Sequence, residues 1–165
     1  MLNRDFKEIV SAFNAARVEF LVVGAYALAA HGLPRATGDI DLWVRPTPEN
    51  AERVYRALAD FGAPLERVDV NDFATPGMVV QFGVEPGRVD VITEIEAVAF
   101  DEAYSERKVV RMEDVEMPVI GREHSSGTSA RSVDPRTWLT PAGWSKRRDG
   151  RNVEERVSRC DVFVI

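Results

Sequence analysis

The chain has 165 residues, of which 45% are hydrophobic and 29% charged, and its formal net charge is −6. This apolar content is sufficient for one folded domain and excludes global disorder. The acidic balance argues against a general nucleic-acid-coating protein, because such domains are usually basic. The single cysteine, Cys160, excludes a disulfide framework and a cysteine zinc site.

Neither a membrane-spanning stretch nor a signal-peptide core is visible in the sequence. The longest apolar run, residues 20–30, is far shorter than the roughly 20 residues of a transmembrane helix. The N-terminal residues 1–8 lack the apolar core of a signal peptide. We therefore expect a soluble, cytoplasmic protein with no membrane partner.

The predicted elements follow one another in the order α-β-α-β-α-β-β-α-β-β. Helical spacing of apolar residues predicts helices over residues 4–17, 25–31, 49–61 and 100–107. Short apolar or alternating runs predict strands over residues 19–23, 39–44, 78–82, 88–92, 108–111 and 117–120. This order predicts an α+β fold, with a small, mixed, mostly antiparallel sheet flanked by helices.

Two aspartates on one predicted strand are the first sign of chemistry. Asp39 and Asp41 are two residues apart, so both carboxylates should point to one face of the sheet. Ile40 and Leu42 should point to the opposite face, into the core. Adjacent carboxylates repel unless a cation lies between them, and oxygen ligands of this kind suit Mg²⁺ or Mn²⁺.

A third carboxylate, Asp90, lies on a later predicted strand. Its neighbours Val89 and Val91 are apolar, so Asp90 is expected to be the lone polar residue of that strand. If the strand pairs beside residues 39–44, three carboxylates converge and could hold metal ions for phosphoryl chemistry. For any single aspartate the alternative is an ordinary solvated position.

The segment before the aspartate pair contains candidate phosphate contacts. Gly24 ends a strand and opens a helix, which lets backbone N–H groups approach a phosphate, although a plain turn is the alternative. Arg35 could clamp a triphosphate or be a surface arginine. Thr37 lies between it and the pair. His31, near the end of the helix, is expected to cap carbonyls or pack rather than act as a base.

These residues together resemble the DNA polymerase β-type nucleotidyltransferase superfamily. The resemblance rests on Gly24-Ala25, then Asp39-Ile40-Asp41-Leu42 after thirteen residues, and Asp90 on a later strand. The run AYALAAHGLPRATGDIDLWV is similar to a bacterial branch of small nucleotidyltransferase-like proteins related to abortive-infection and toxin–antitoxin nucleotidyltransferases. The resemblance covers about residues 4–122.

The resemblance implies transfer of a nucleoside monophosphate from an NTP to an acceptor hydroxyl, with release of pyrophosphate. Asp39 and Asp41 would bind Mg²⁺ or Mn²⁺, and Asp90 would complete the second metal site and help to deprotonate the acceptor. The nucleotide-binding residues would be Gly24, Ala25, Arg35 and Thr37. The superfamily usually has Ser or Gly where this chain has Ala25, so a hydroxyl contact to phosphate is replaced by backbone alone.

Two other interpretations apply to some of the same residues. A haloacid-dehalogenase phosphatase also has an Asp-x-Asp pair, but there the apolar strand precedes the first aspartate, whereas here it follows. A non-catalytic nucleotide- or metal-binding module, or a subunit dependent on a protein partner, remains open. The acceptor could be RNA, a protein side chain or a small molecule.

The chain changes character near residue 122. Residues 1–121 carry 12 basic and 21 acidic residues, a net charge of −9, whereas residues 122–165 carry a net charge of +3. We therefore expect a nucleotidyltransferase-like domain over 1–122 and an atypical tail over 123–165. Residues 125–140 lack helical periodicity, yet codons allowed for them, read one base earlier, can spell the helix expected in this branch. We hypothesise a frameshift near His124; a divergent tail is the alternative.

Overall fold

One mixed sheet forms the centre of the computed structural model, which describes residues 3–33, 36–83, 86–129 and 163–164. The helices are α1 (Arg4–Ala15), α2 (Gly24–Ala30), α3 (Pro48–Phe61), α4 (Phe100–Ser105) and α5 (Arg122–Ser129). The strands are β1 (Phe20–Val23), β2 (Asp39–Val44), β3 (Val79–Phe82), β4 (Arg88–Ile92), β5 (Lys108–Met112), β6 (Val115–Val119) and β7 (Phe163–Val164). Within these ranges no helix is long and apolar enough to cross a membrane.

The strand order in the sheet is β5-β6-β1-β2-β4-β3-β7. The pairs β1–β2, β3–β4, β5–β6 and β3–β7 are antiparallel, whereas β1–β6 and β2–β4 are parallel. This confirms the predicted α+β class with a mixed, mostly antiparallel sheet. It also places β2 in the middle of the sheet, between β1 and β4.

Apolar side chains cover both faces of β2. Phe20 lies opposite Val44 in the sheet and meets the ring of Phe13 from α1 edge-on at 5.2 Å. Trp43 points to the other face and meets the ring of Phe100 from α4 at 5.1 Å. Because β2 is buried between these two layers, the side chains at its N-terminal end are held on a rigid support.

The sequence predicted no helix after His124, and the structure corrects this with α5, which continues to residue 129. Tertiary contacts supply the reason, since α5 lies beside α2 and Ser125 is only 4% exposed. His124 also contacts the Glu106 carboxylate at 2.8 Å.

The segment affected by the proposed frameshift lies largely in residues 130–162, outside the described residues. The frameshift therefore stays a hypothesis, as does the division into 1–122 and 123–165. A short 3-10 turn, Val70–Phe73, was also not predicted.

The buried side chain of Asn50 in α3 ties β1 to the end of β2. Its Oδ1 accepts from the Glu19 backbone N–H at 2.8 Å, and its Nδ2 donates to the carbonyls of Glu19 and Arg45, both at 3.0 Å. The residue is 2% exposed. The two carbonyls also accept from backbone N–H groups, Glu19 from Arg45 at 3.1 Å and Arg45 from Thr47 at 3.0 Å. The Glu19 N–H is therefore the group that relies on Asn50 for its hydrogen bond.

We expect Asn50→Ala to destabilise the fold by about 1–3 kcal/mol, because it leaves the partly buried Glu19 N–H without its acceptor and removes two further hydrogen bonds. Urea denaturation of the variant measures this loss. Glu52→Ala, an exposed change on the same helix, is the control and should stay within about 0.5 kcal/mol of the wild type. Equal stabilities for the two variants would contradict the role assigned to Asn50.

Candidate functional site

The parallel pairing of β2 with β4 brings the three predicted carboxylates onto one face of the sheet. Asp41 lies directly opposite Asp90, and Asp39 lies opposite Arg88. Opposed residues of neighbouring strands point to the same side, and so do residues two apart on one strand. The strand of Asp90 does pair beside β2, so Asp39, Asp41 and Asp90 share one face, as expected for that pairing.

Arg88 lies among these carboxylates and was not predicted to be part of the site. Its Nη2 contacts Asp39 Oδ2 at 2.5 Å, and its Nε donates to Asp90 Oδ1 at 3.0 Å. The expectation that Asp90 is the lone polar residue of its strand is therefore wrong. The signal was present, since Arg88 precedes Asp90 by two positions and must share its face.

Asp90 is the most buried of the three carboxylates. The residue is 6% exposed, and its Oδ2 accepts a hydrogen bond from Gln81 Nε2 at 3.2 Å. Gln81 faces it directly from β3. Burial raises the pKa of Asp90, and the positive charge and hydrogen bond of Arg88 act against this rise.

Asp41 is the carboxylate that the fold leaves least satisfied. Within the described ranges its side chain has neither a hydrogen bond nor an ion pair. Burial, and then the negative charges of Asp90 and Asp39, raise the pKa of Asp41 to about 7, although Arg88 opposes the shift. A partly buried carboxylate between two like charges is a position that would gain from a cation.

Gly24 closes the site on the β1 side. It has a φ of +65°, and Ala25 follows it in the first turn of α2. A Cβ on Gly24 would collide with Asp41 Oδ2 and lie 3.0 Å from Asp41 Cγ. Only glycine therefore fits between β1 and the Asp41 carboxylate, for reasons of both backbone conformation and space.

The remaining predicted site residues have different outcomes. The Thr37 hydroxyl hydrogen-bonds the Asp39 carboxylate and accepts from the Asp39 backbone N–H at 3.3 Å, so it positions that side chain. Arg35 lies outside the described residues. The ring of His31 hydrogen-bonds the Ile120 carbonyl at 2.7 Å, which agrees with the expected packing role.

The carboxylates of Asp39, Asp41 and Asp90 are suitable ligands for a divalent cation, but Asp39 and Asp90 contact Arg88 in this structure. Three carboxylates on one face are the oxygen ligands that Mg²⁺ and Mn²⁺ prefer. Asp41, whose pKa is raised by burial and by the charges of Asp90 and Asp39, would gain from such an ion. Across the described part of the chain, however, no group of three or more His, Cys, Asp or Glu side chains lies close enough to form a ready-made metal site.

Comparison with known proteins supports the fold. A crystal structure of a "putative nucleotidyltransferase" from Thermotoga maritima matches with a TM-score of 0.53 and 17% sequence identity, over 82% of this chain and 91% of that chain. The fold is nucleotidyltransferase-like. No family model matches the chain, and no curated protein matches it. At this identity the likeness concerns architecture and leaves substrate and branch open.

We expect Gly24→Ala to destabilise the protein by about 2–4 kcal/mol, from backbone strain together with the collision with Asp41. Gly62→Ala is a matched control, because Gly62 has a φ of +88° but no atom near its Cβ position. It should cost only the strain, about 1–2 kcal/mol. In a urea-denaturation double-mutant cycle, Asp41→Ala should recover the excess cost at Gly24; additive costs would contradict this explanation.

The raised pKa of Asp41 predicts how stability depends on pH. Protonated Asp41 is favoured in the fold, so its contribution is present below the unfolded pKa of about 4 and is lost as pH rises through about 7. The full loss is about 4 kcal/mol. In urea denaturation without divalent ions, Asp41→Asn should flatten this fall, whereas Asp60→Asn, at an exposed position, should not. Parallel profiles for the wild type and Asp41→Asn would contradict the assignment.

Proposed function

We propose that the protein is a metal-dependent nucleotidyltransferase, which moves a nucleoside monophosphate from an NTP to an acceptor hydroxyl and releases pyrophosphate. The observation that carries this proposal is the register of β2 and β4, which aligns Asp39, Asp41 and Asp90 on one face of a nucleotidyltransferase-like sheet. Carboxylates in this arrangement can hold the metal ions used in phosphoryl transfer. Without such a function, their mutual repulsion would be an electrostatic cost with no benefit.

In the proposed reaction the acceptor oxygen bonds to the α-phosphorus of the NTP, and the bond from that phosphorus to the pyrophosphate oxygen breaks. Asp39 and Asp41 would hold Mg²⁺ or Mn²⁺, with Asp90 completing the second metal position, and the chemistry supplied there would be neutralisation of phosphate charge. Asp90 takes the proton of the acceptor hydroxyl, and its burial suits this role because it makes the carboxylate a stronger base.

The nucleotide would approach from the Gly24 side of the carboxylate face. We propose that the backbone of Gly24 and Ala25, together with Arg35 and Thr37, contacts the triphosphate. The hydrogen bond between Thr37 and the Asp39 carboxylate supports the inclusion of Thr37 in this set. Ala25 contributes only backbone groups, so the remaining residues of the set must supply more of the phosphate binding.

The acceptor is proposed by class only. RNA, a protein side chain and a small molecule each offer a suitable hydroxyl. The net charge of −9 over residues 1–121 makes RNA the least favoured, because phosphate binding requires a basic surface. A cognate protein partner of the toxin–antitoxin type would supply such a surface, and this remains part of the proposal.

A second candidate is a non-catalytic nucleotide- or metal-binding module, or a subunit active only with a partner. The ion pairs of Arg88 with Asp39 and Asp90 favour it, because they satisfy two carboxylates without any metal. The absence of a hydroxyl at Ala25 points the same way. The two candidates differ in whether a label is transferred covalently.

We expect covalent transfer of label when the protein is incubated with Mg²⁺, α-labelled NTPs and total cellular RNA, protein extract or small metabolites. Asp41→Ala should reduce the transfer by roughly 100-fold or more, since it removes a proposed metal ligand. Asp60→Ala changes an exposed aspartate and is the matched control that should keep the activity.

The two candidates give different results in this assay. Tight binding of Mg²⁺ and nucleotide without any transfer would overturn the enzyme and support the binding module. Transfer that persists in Asp41→Ala would overturn the assigned site. Because the substitution removes a buried charge, a melting curve should show that Asp41→Ala stays folded, so that lost activity is not lost structure.

A further inference from the structure

Arg88 lies where a cation shared by Asp39 and Asp90 would lie. Its guanidinium contacts Asp39 Oδ2 through Nη2 at 2.5 Å and Asp90 Oδ1 through Nε at 3.0 Å. One side chain therefore joins carboxylates that belong to different strands. The two proposed metal ligands on β2 and β4 are bridged by a positive charge that the chain itself supplies.

This bridge differs from an ordinary surface ion pair. The side chains of Arg88, Asp39 and Asp90 are only 19%, 24% and 8% exposed. Water therefore screens the bridge poorly, and it has more effect on the carboxylates than an exposed pair would have. The positions are also set by the sheet, because Arg88 lies opposite Asp39 and two residues before Asp90.

We propose that Arg88 is a displaceable internal cation: it holds Asp39 and Asp90 together before a metal binds, and its bridge and a bound divalent ion exclude each other. The inference rests on the proposed function, in that these carboxylates are taken as metal ligands. Arg88 is then a positioning residue that sets the metal affinity of the site and does not itself take part in the reaction.

The exclusion follows from occupied oxygens and from charge. Both oxygens of Asp39 accept hydrogen bonds, from Thr37 and Arg88. Both oxygens of Asp90 also accept, from Gln81 and Arg88. Mg²⁺ binds oxygen ligands at about 2.0–2.1 Å in near-octahedral geometry, so it has to take the place of such donors. A divalent ion and a guanidinium also repel strongly at such separations in a poorly screened site. Metal binding therefore requires that Arg88 withdraw from at least one carboxylate. The free energy of metal binding must offset the loss of that ion pair.

A first experiment measures Mn²⁺ affinity by titration calorimetry on the full chain. Arg88→Met removes the internal cation and should tighten Mn²⁺ binding by about tenfold or more. Arg88→Lys keeps the charge and should stay within roughly threefold of the wild type. Arg111→Met, which removes an exposed arginine on β5, is the control for net charge and should leave the affinity unchanged.

Removing Arg88 should also make stability depend on the metal. Without it, Asp39 and Asp90 repel, so Arg88→Met should melt below the wild type in chelator and gain more from Mn²⁺ than the wild type gains. A variant that folds only when Mn²⁺ is supplied agrees with the proposal. A variant that no divalent ion restores overturns it, because Arg88 would then be purely structural.

A second experiment uses the wild-type protein and needs no variant to fold. The Nε–H of Arg88 donates to Asp90, so its ¹⁵N–¹H resonance reports the bridge directly. Titration with Mg²⁺ should shift or broaden this signal in step with site occupancy, whereas the Arg45 signal, from an arginine held by Glu19 and Asp101, should stay fixed.

The outcomes separate the two proposals. If the wild type binds metal while the Arg88 signal and the Arg88→Met affinity both stay unchanged, the displacement is wrong and the metal site stands. If neither the wild type nor Arg88→Met binds Mn²⁺, the metal-dependent function and the displacement fail together. Weaker binding in Arg88→Met would mean that Arg88 supports the ion instead of competing with it, and would also overturn the inference.

Discussion

Like-charge repulsion on one face of the sheet is the constraint that the site has to satisfy. The β2–β4 register places Asp39, Asp41 and Asp90 side by side, which costs free energy unless positive charge or proton binding offsets it. Arg88 neutralises Asp39 and Asp90. At Asp41 proton binding offsets the repulsion instead, because its pKa is raised to about 7. Arg88 and protonation of Asp41 therefore reduce the repulsion before any ligand binds. Ionised Asp41 is still destabilised by the charges of Asp90 and Asp39.

The surrounding fold bears this cost because the carboxylates are fixed to a strand that is otherwise well packed. Ile40 and Leu42, which alternate with the aspartates, are both fully buried. Burial of two such side chains contributes on the order of several kcal/mol, enough to hold β2 in place while its polar face remains strained. Gly24 completes the arrangement, because any larger residue there would displace the Asp41 carboxylate.

Much of the fold followed from local patterns. The alternation in residues 39–44 predicted β2 with its bounds, and the apolar spacing in residues 49–61 predicted α3 to within one residue. These succeeded because side-chain burial repeats with the period of the element that carries it. The helix α5 was missed because no such period marks it; contacts with α2 and with Glu106 hold it. Spacing alone put Arg88 on the face of Asp90, but its contact with Asp39 depends on the pairing of β2 with β4, which no local pattern shows.

Residue type and spacing were enough to predict helices α1–α4 and strands β1–β6 in order, the shared face of Asp39 and Asp41, and the abundance of negative charge. The packing of the whole chain set which strand lies beside β2, and with it the contact of Arg88 with Asp39 and the position of Asp90 opposite Asp41. Strand partners are chosen by the packing of the whole sheet, which no local period encodes. The pairing of β2 with β4 therefore produces a cluster of three aspartates in which Arg88 is the counter-ion of Asp39 and Asp90.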